Sequence, residues 1–230
     1  MTAWRLILHK DFRLGLPWLG LGIIVVATGN VFAAALLENP MYRFIAAGIL
    51  AGAHILYFPV FLGMSLGWEG RRLHQWLHSP RPGWQLLLSK VLNALAASIL
   101  SLSISLLYPA YLVHRFPELR KLLESMDWGG ITYQCFSTSI SFGFLVMVLW
   151  TMKHVLKNLI GPWNNILFIA LFIIVLTFQI QFHNESNGEN ISVHMQLLPP
   201  LTTESLLIDL GIWTALFLMT AWLLDRRTEV

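Results

Sequence analysis

The densest run of groups with chemical reach lies between Trp68 and Lys90, where Glu69, Arg71, Arg72, His74, His78, Arg81 and Lys90 fall among three tryptophans. His74-Gln75-Trp76-Leu77-His78 sets two imidazoles one helical turn apart, the spacing with which the H-E-x-x-H motif holds zinc. Gln75 stands where that motif carries its general base, and no third ligand follows nearby, so metal-assisted hydrolysis is not expected. His54 and Asp209 each sit within a long apolar run, and an ionisable group inside a membrane span is a functional candidate by default. The competing expectation for His54 is a bond to a neighbouring helix, and for Asp209 hydration near a span end. Ser98, Ser101 and Ser105, with Ala94 and Ala97, form a small-residue face, and Ser137, Thr138, Ser139 and Ser141 begin another. Small residues let helices approach and hydroxyls bond across them, so packing is the first expectation. The second is a translocation path lined by His54, Ser98, Ser101, Ser105, Asn164 and Asn165. Asn184-Glu-Ser and Asn190-Ile-Ser match the glycosylation sequon, which matters only in a host that glycosylates such loops. No G-x-x-x-x-G-K-[ST] run, nucleophile elbow, dinucleotide fingerprint or kinase set occurs, so no catalytic residue and no cofactor site is assigned to the chain itself.

The elements that position these groups follow from composition. Of the 230 residues, 56% are hydrophobic and 12% charged, against about 25% charged in globular domains. That is the composition of an all-α polytopic membrane protein, a single transmembrane domain over residues 1–230. A lone cysteine, Cys135, excludes an internal disulfide and any multi-cysteine metal site. Neither a secretory signal peptide nor a lipidation motif is expected.

Thr2–Arg13 mixes Trp4, Leu6, Ile7, Leu8 and Phe12 with basic residues and reads as an interfacial helix on the cytoplasmic leaflet. Six apolar runs then approach the roughly 20 residues that cross about 30 Å of hydrocarbon. They lie near Leu14–Leu37, Phe44–Gly67, Val91–Val113, Gly129–Met152, Ile160–Phe182 and Leu206–Leu224. Pro17 and Pro59 are tolerated there as kinks. The N-terminus, the Trp68–Lys90 loop, the Lys153–Lys157 link and the Arg226-Arg227 tail hold eleven of the fifteen basic residues, while His183–Ser205 holds none. Six spans with both termini cytoplasmic satisfy this asymmetry. His114–Trp128 reads as a short external amphipathic helix. In His183–Ser205, Leu197 to Leu201 suggest a segment dipping back into the outer leaflet.

Within the long cytoplasmic loop, Leu73, Trp76 and Leu77 fall at i, i+3 and i+4, giving a helix with an apolar stripe and a charged flank. Ser79-Pro80-Arg81-Pro82-Gly83 then breaks that helix, and a second one restarts at Trp84 and enters the membrane. The product is a cytoplasmic knob suited to docking a partner protein.

With those residues in view, the chain resembles the membrane subunit of a bacterial ATP-binding-cassette transporter of the type-2 permease class. Leu6-Ile-Leu-His-Lys-Asp-Phe-Arg13 looks like the elbow helix that opens such permeases. The stretch from Glu69 through Trp76-Leu-His-Ser-Pro-Arg-Pro to Lys90 looks like their first cytoplasmic loop, with its coupling helix. The resemblance implies two permease subunits, identical or homologous, and two separately encoded ATPase subunits that bind the ATP and magnesium. It implies a multi-pass place in the inner (plasma) membrane and ATP-driven export, with hydrophobic or amphipathic cargo favoured by the scarcity of charge in the spans. The ATPase-docking residues would be Glu69, Arg71, Arg72, His74 and Trp76, with Pro80 and Pro82 setting the turn. The alternatives are a non-transporting sensor or immunity subunit of an ABC complex and an ion-coupled carrier; nucleic acid is not an expected partner.

Overall fold

Helices cross a bilayer because they satisfy every backbone N–H and C=O internally. The computed structural model describes residues 3–70, 82–124, 128–160 and 203–225, and every regular element among them is helical. In order these are α1 (Ala3–Leu36), α2 (Pro40–Gly52), a 3-10 turn (Ala53–Leu56), α3 (Tyr57–Gly70), α4 (Gly83–Ser105), α5 (Leu107–Arg115), α6 (Pro117–Glu124), α7 (Trp128–Ile160) and α8 (Thr203–Asp225). Among the described residues five stretches are long and apolar enough to cross a membrane: Trp4–Leu36, Pro40–Gly70, Gly83–Arg115, Gly129–His154 and Leu206–Asp225. Their outer faces carry apolar side chains such as Ile24, Val31, Ile49 and Leu207, all more than 60% exposed. A water-soluble protein does not present such a surface over most of its helices.

The expected spans Leu14–Leu37, Phe44–Gly67, Val91–Val113, Gly129–Met152 and Leu206–Leu224 all fall on these helices, which run longer than expected. Thr2–Arg13 and the first apolar run are joined, with α1 continuous for 34 residues. At 1.5 Å per residue that is about 50 Å, well beyond the hydrocarbon thickness. Ile160–Phe182, the Leu197–Leu201 dip, Arg71, Arg72, His74, Trp76, Pro80, Asn164 and Asn165 lie outside the described residues, except that Ile160 closes α7. The helix after the loop starts at Gly83, one residue before the expected restart.

Prolines and glycines explain the internal geometry. Asn39 caps α2, its side chain accepting from the Met41 N–H at 2.8 Å, and Pro40 follows at the first helical position, where its missing N–H costs nothing. Pro59 cannot donate to the carbonyl four residues back, and its ring crowds that turn, so the helix tightens into the 3-10 turn at Ala53–Leu56. Pro109 has the same effect one turn earlier in its own helix, where α4 gives way to α5 at Leu106. On α1, Gly15, Gly22 and Gly29 recur every seven residues and receive Phe61, Tyr57 and Leu50 respectively; a methyl at any of them would overlap the incoming side chain. Gly143 on α7 receives Phe58, which is wholly buried. The main core gathers Phe58, Leu62, Leu66, Leu87, Ala94 and Met147 from α3, α4 and α7. A smaller cluster of Phe44, Leu112 and Leu119 seats α6 at the opposite end.

The glycine contacts make α1 and α2–α3 antiparallel. Lys90 meets Ser65 and Ser101 meets His54, so α3 and α4 are antiparallel too. The chain entry (Lys10), the end of α3 (Glu69) and the start of α4 thus gather at one end of the bundle, the loop end.

Candidate functional site

At the loop end a lysine is enclosed by helices. Lys90, on the second turn of α4, has a side chain 1% exposed. Its Nζ reaches Asp11 Oδ1 of α1 at 3.3 Å, Glu69 Oε1 of α3 at 3.3 Å and Ser65 Oγ of α3 at 3.5 Å. An ammonium has three protons, and here three oxygens surround it. Asp11, 2% exposed, receives a second bond on Oδ2 from the Ser89 hydroxyl at 2.6 Å. Glu69 Oε1 also takes Lys10 Nζ at 3.0 Å. Two ammoniums and two carboxylates therefore form a neutral quartet joining α1, α3 and α4. Asn93 adds a further polar tie, its amide donating to Leu8 O at 3.3 Å and to Ser89 O at 2.9 Å.

Lys90 and Asp11 are buried, while Lys10, 55% exposed, forms the solvent side of the quartet. A buried pair such as Lys90–Asp11 contributes little net energy over an apolar substitute, since desolvation offsets attraction. Its effect is conditional: removing one partner strands another charge away from water and costs about 3–5 kcal/mol. The quartet thus fixes how the three helices sit together more than it adds stability.

The loop that begins after Gly70 is tied at both margins. Gly70 lies against His154 of α7, and an added Cβ would stand 3.1 Å from its Nε2. His154 is itself held, Nδ1 to Trp150 O at 2.8 Å, with the Trp150 ring 4.3 Å away. On the far margin, Pro82 is extended and precedes α4, whose first N–H, on Gly83, donates to Asp225 Oδ1 at 2.7 Å. A carboxylate suits a helix N-terminus because it meets unpaired N–H groups and the positive end of the dipole. Gly83 leaves room for it, since a Cβ would lie 2.7 Å from that oxygen.

Deeper in the bundle, the 3-10 turn presents His54, which is 7% exposed. Its Nδ1 faces Leu50 O at 3.3 Å and its Nε2 faces Ser101 Oγ at 3.0 Å. A carbonyl only accepts, so the proton is assigned to Nδ1 and Nε2 accepts from the Ser101 hydroxyl. Ser139 of α7 donates to His54 O at 3.2 Å. Tyr57 stacks on the imidazole at 5.6 Å, and both rings border an apolar cleft of about 270 Å³ between α1 and α2–α3. A second seam joins α7 to α8: Tyr133 (2.8 Å) and Ser137 both donate to Asp209 Oδ2, and Trp213 Nε1 donates to Ser141 Oγ at 2.9 Å.

The structure sorts the sequence candidates accordingly. His54 and Ser101 are brought together as a satisfied interhelical bond; Ser98 and Ser105 are buried on the same face of α4. Ser105 bonds back to Leu102 O at 2.9 Å. Glu69 sits in the quartet with its side chain 11% exposed, and Pro82 lies exposed at the loop margin. Among the described residues no three of His, Cys, Asp and Glu converge as a metal site. Sequence reasoning missed the quartet as a unit. Lys90 carried the signal, a lysine inside Leu86-Leu-Leu-Ser-Lys-Val-Leu92, and Asp11 carried another, an acid within a basic stretch. No protein-family model, curated protein or solved structure matches the chain.

Proposed function

We propose that the chain is the membrane-spanning permease subunit of an ATP-binding-cassette exporter of the type-2 class, in which a separate ATPase docks on the loop after Gly70. The observation that carries this is the clamping of the loop at its base. Glu69 ends one margin and Lys90 follows the other, and through Asp11 and Lys10 both are tied to α1. Force applied to the loop therefore moves three membrane helices together. In this role Glu69 anchors the loop, and Arg71, Arg72, His74 and Trp76 meet the partner. A partner that changes shape with ATP drives such a movement only if it favours one arrangement of the helices over the other.

Six spans with both termini cytoplasmic belong to the same proposal. The bonds from Tyr133 and Ser137 to Asp209, and between Ser141 and Trp213, advance in the same chain direction, so α7 and α8 are parallel. Asp225 at the end of α8 meets Gly83 at the loop end, as His154 near the end of α7 meets Gly70. A chain that leaves α7 at the loop end and enters α8 at the opposite end crosses the bilayer between them. The scarcity of charge in the spans and the apolar cleft beside His54 favour a hydrophobic or amphipathic cargo. ATP and magnesium belong to the partner subunit.

The test is charge reversal on the loop. Arg71→Glu with Arg72→Glu reduces co-purification of the ATPase and leaves membrane insertion intact. Undiminished co-purification removes the loop from the docking role.

A further inference from the structure

We infer that the cleft between the Arg5–Phe12 stretch of α1 and the Leu92–Ala96 stretch of α4 binds an anionic phospholipid of the leaflet at the loop end. The cleft measures about 340 Å³, near the lower bound of about 300–1,000 Å³ for small-molecule sites. Its walls are apolar, with Leu8 and Phe12 from α1 facing Leu92 and Ala96 from α4; Arg5 and His9 stand on its α1 rim. The Asn93–Leu8 hydrogen bond ties the walls together, so the cleft has a fixed width.

Charge decides the occupant. Arg5 and His9 are exposed, and among the described residues neither has an acidic group within ion-pair distance; Lys10, the next residue, is by contrast bound to Glu69. An unpaired guanidinium and an imidazole one turn apart suit a phosphate, and Phe12 and Leu92, each 41% exposed, offer acyl chains a wall beside it. A phospholipid is the ligand that brings a phosphate and a hydrocarbon chain together at a membrane surface. The cytoplasmic leaflet carries the negative potential that attracts such basic segments.

The position has a consequence for the loop. Asp11, Ser89 and Lys90 lie one turn from Leu8 and Asn93, so a lipid seated in the cleft braces the α1–α4 contact on which the quartet depends. The site rests on the proposed placement of the loop end at the cytoplasmic leaflet and does not depend on an ATPase partner.

Native mass spectrometry of the full chain in detergent, equilibrated with equimolar phosphatidylglycerol and phosphatidylcholine, tests this. The unsubstituted chain retains phosphatidylglycerol in preference. Arg5→Gln lowers that ratio about fivefold, the worth of one basic residue at an anionic surface, and adding His9→Gln lowers it further. Ala96→Phe, which fills the cleft from an exposed position, reduces retention of both lipids, whereas Arg226→Gln with Arg227→Gln leaves the ratio unchanged. The site is overturned if Arg5→Gln with His9→Gln keeps the original ratio, if the tail variant lowers it equally, or if Ala96→Phe retains lipid undiminished. Equal thermal stabilisation by inorganic phosphate would also overturn it, by making this an anion site without a lipid.

Discussion

Lys90 is the residue whose removal leaves the most behind. Lys90→Met leaves the buried Asp11 carboxylate with only the partly exposed Lys10 as a cation, at 4.0 Å, and takes one of two ammoniums from Glu69. We expect a loss of about 3–5 kcal/mol in the thermal unfolding of the detergent-purified chain. Adding Asp11→Asn removes the stranded charge and recovers about 0.5–3 kcal/mol of that loss, the usual coupling of contacting residues. Unfolding of Lys90→Met at the original temperature would show that the quartet is not buried as described. The sequence made Lys90 visible as a lysine inside an apolar run, but not its partners. Asp11 lies 79 residues away, and pairing over that separation is decided by how helices pack. His54 was legible because a histidine in a span stands out, and its bond to Ser101 joins two residues that had both drawn attention from sequence.

At the scale of elements, hydropathy located the helices and misplaced their ends. Apolar runs mark hydrocarbon, whereas a helix continues for as long as its backbone bonds do, which is why α1 begins at Ala3 and α4 at Gly83. Two further features were present in the sequence as spacing. Pro59 predicts the tightened turn that carries the buried His54, and the glycines at 15, 22 and 29 predict the face of α1 that receives large side chains. The relative direction of α7 and α8 was not legible locally, since it rests on hydrogen bonds across 72 to 76 residues. Their parallel course is testable by labelling. In a Cys135→Ser background, Asn187→Cys should react with a membrane-impermeant maleimide added outside intact cells, and His78→Cys should react only after lysis. Labelling of both positions from one side would contradict an odd number of crossings between α7 and α8.

For the whole molecule, the composition indicated a membrane protein, and the five long apolar helices agree with that. What the fold adds is a mechanical connection. The loop is bracketed by Glu69 before it and by Gly83 and Lys90 after it, and the Glu69–Lys90 and Lys90–Asp11 pairs with the Gly83–Asp225 cap join these margins to α1, α3, α4 and α8. Under the proposed function, that connection is what a docked ATPase would act on. The most direct test of a permease moved by an ATPase is purification of the tagged chain from its native membrane in mild detergent, followed by mass spectrometry of its companions. Co-elution of a P-loop ATPase, in proportion to the chain and reduced by Arg71→Glu with Arg72→Glu, is the predicted result. Repeated recovery of the chain alone and monodisperse would contradict it.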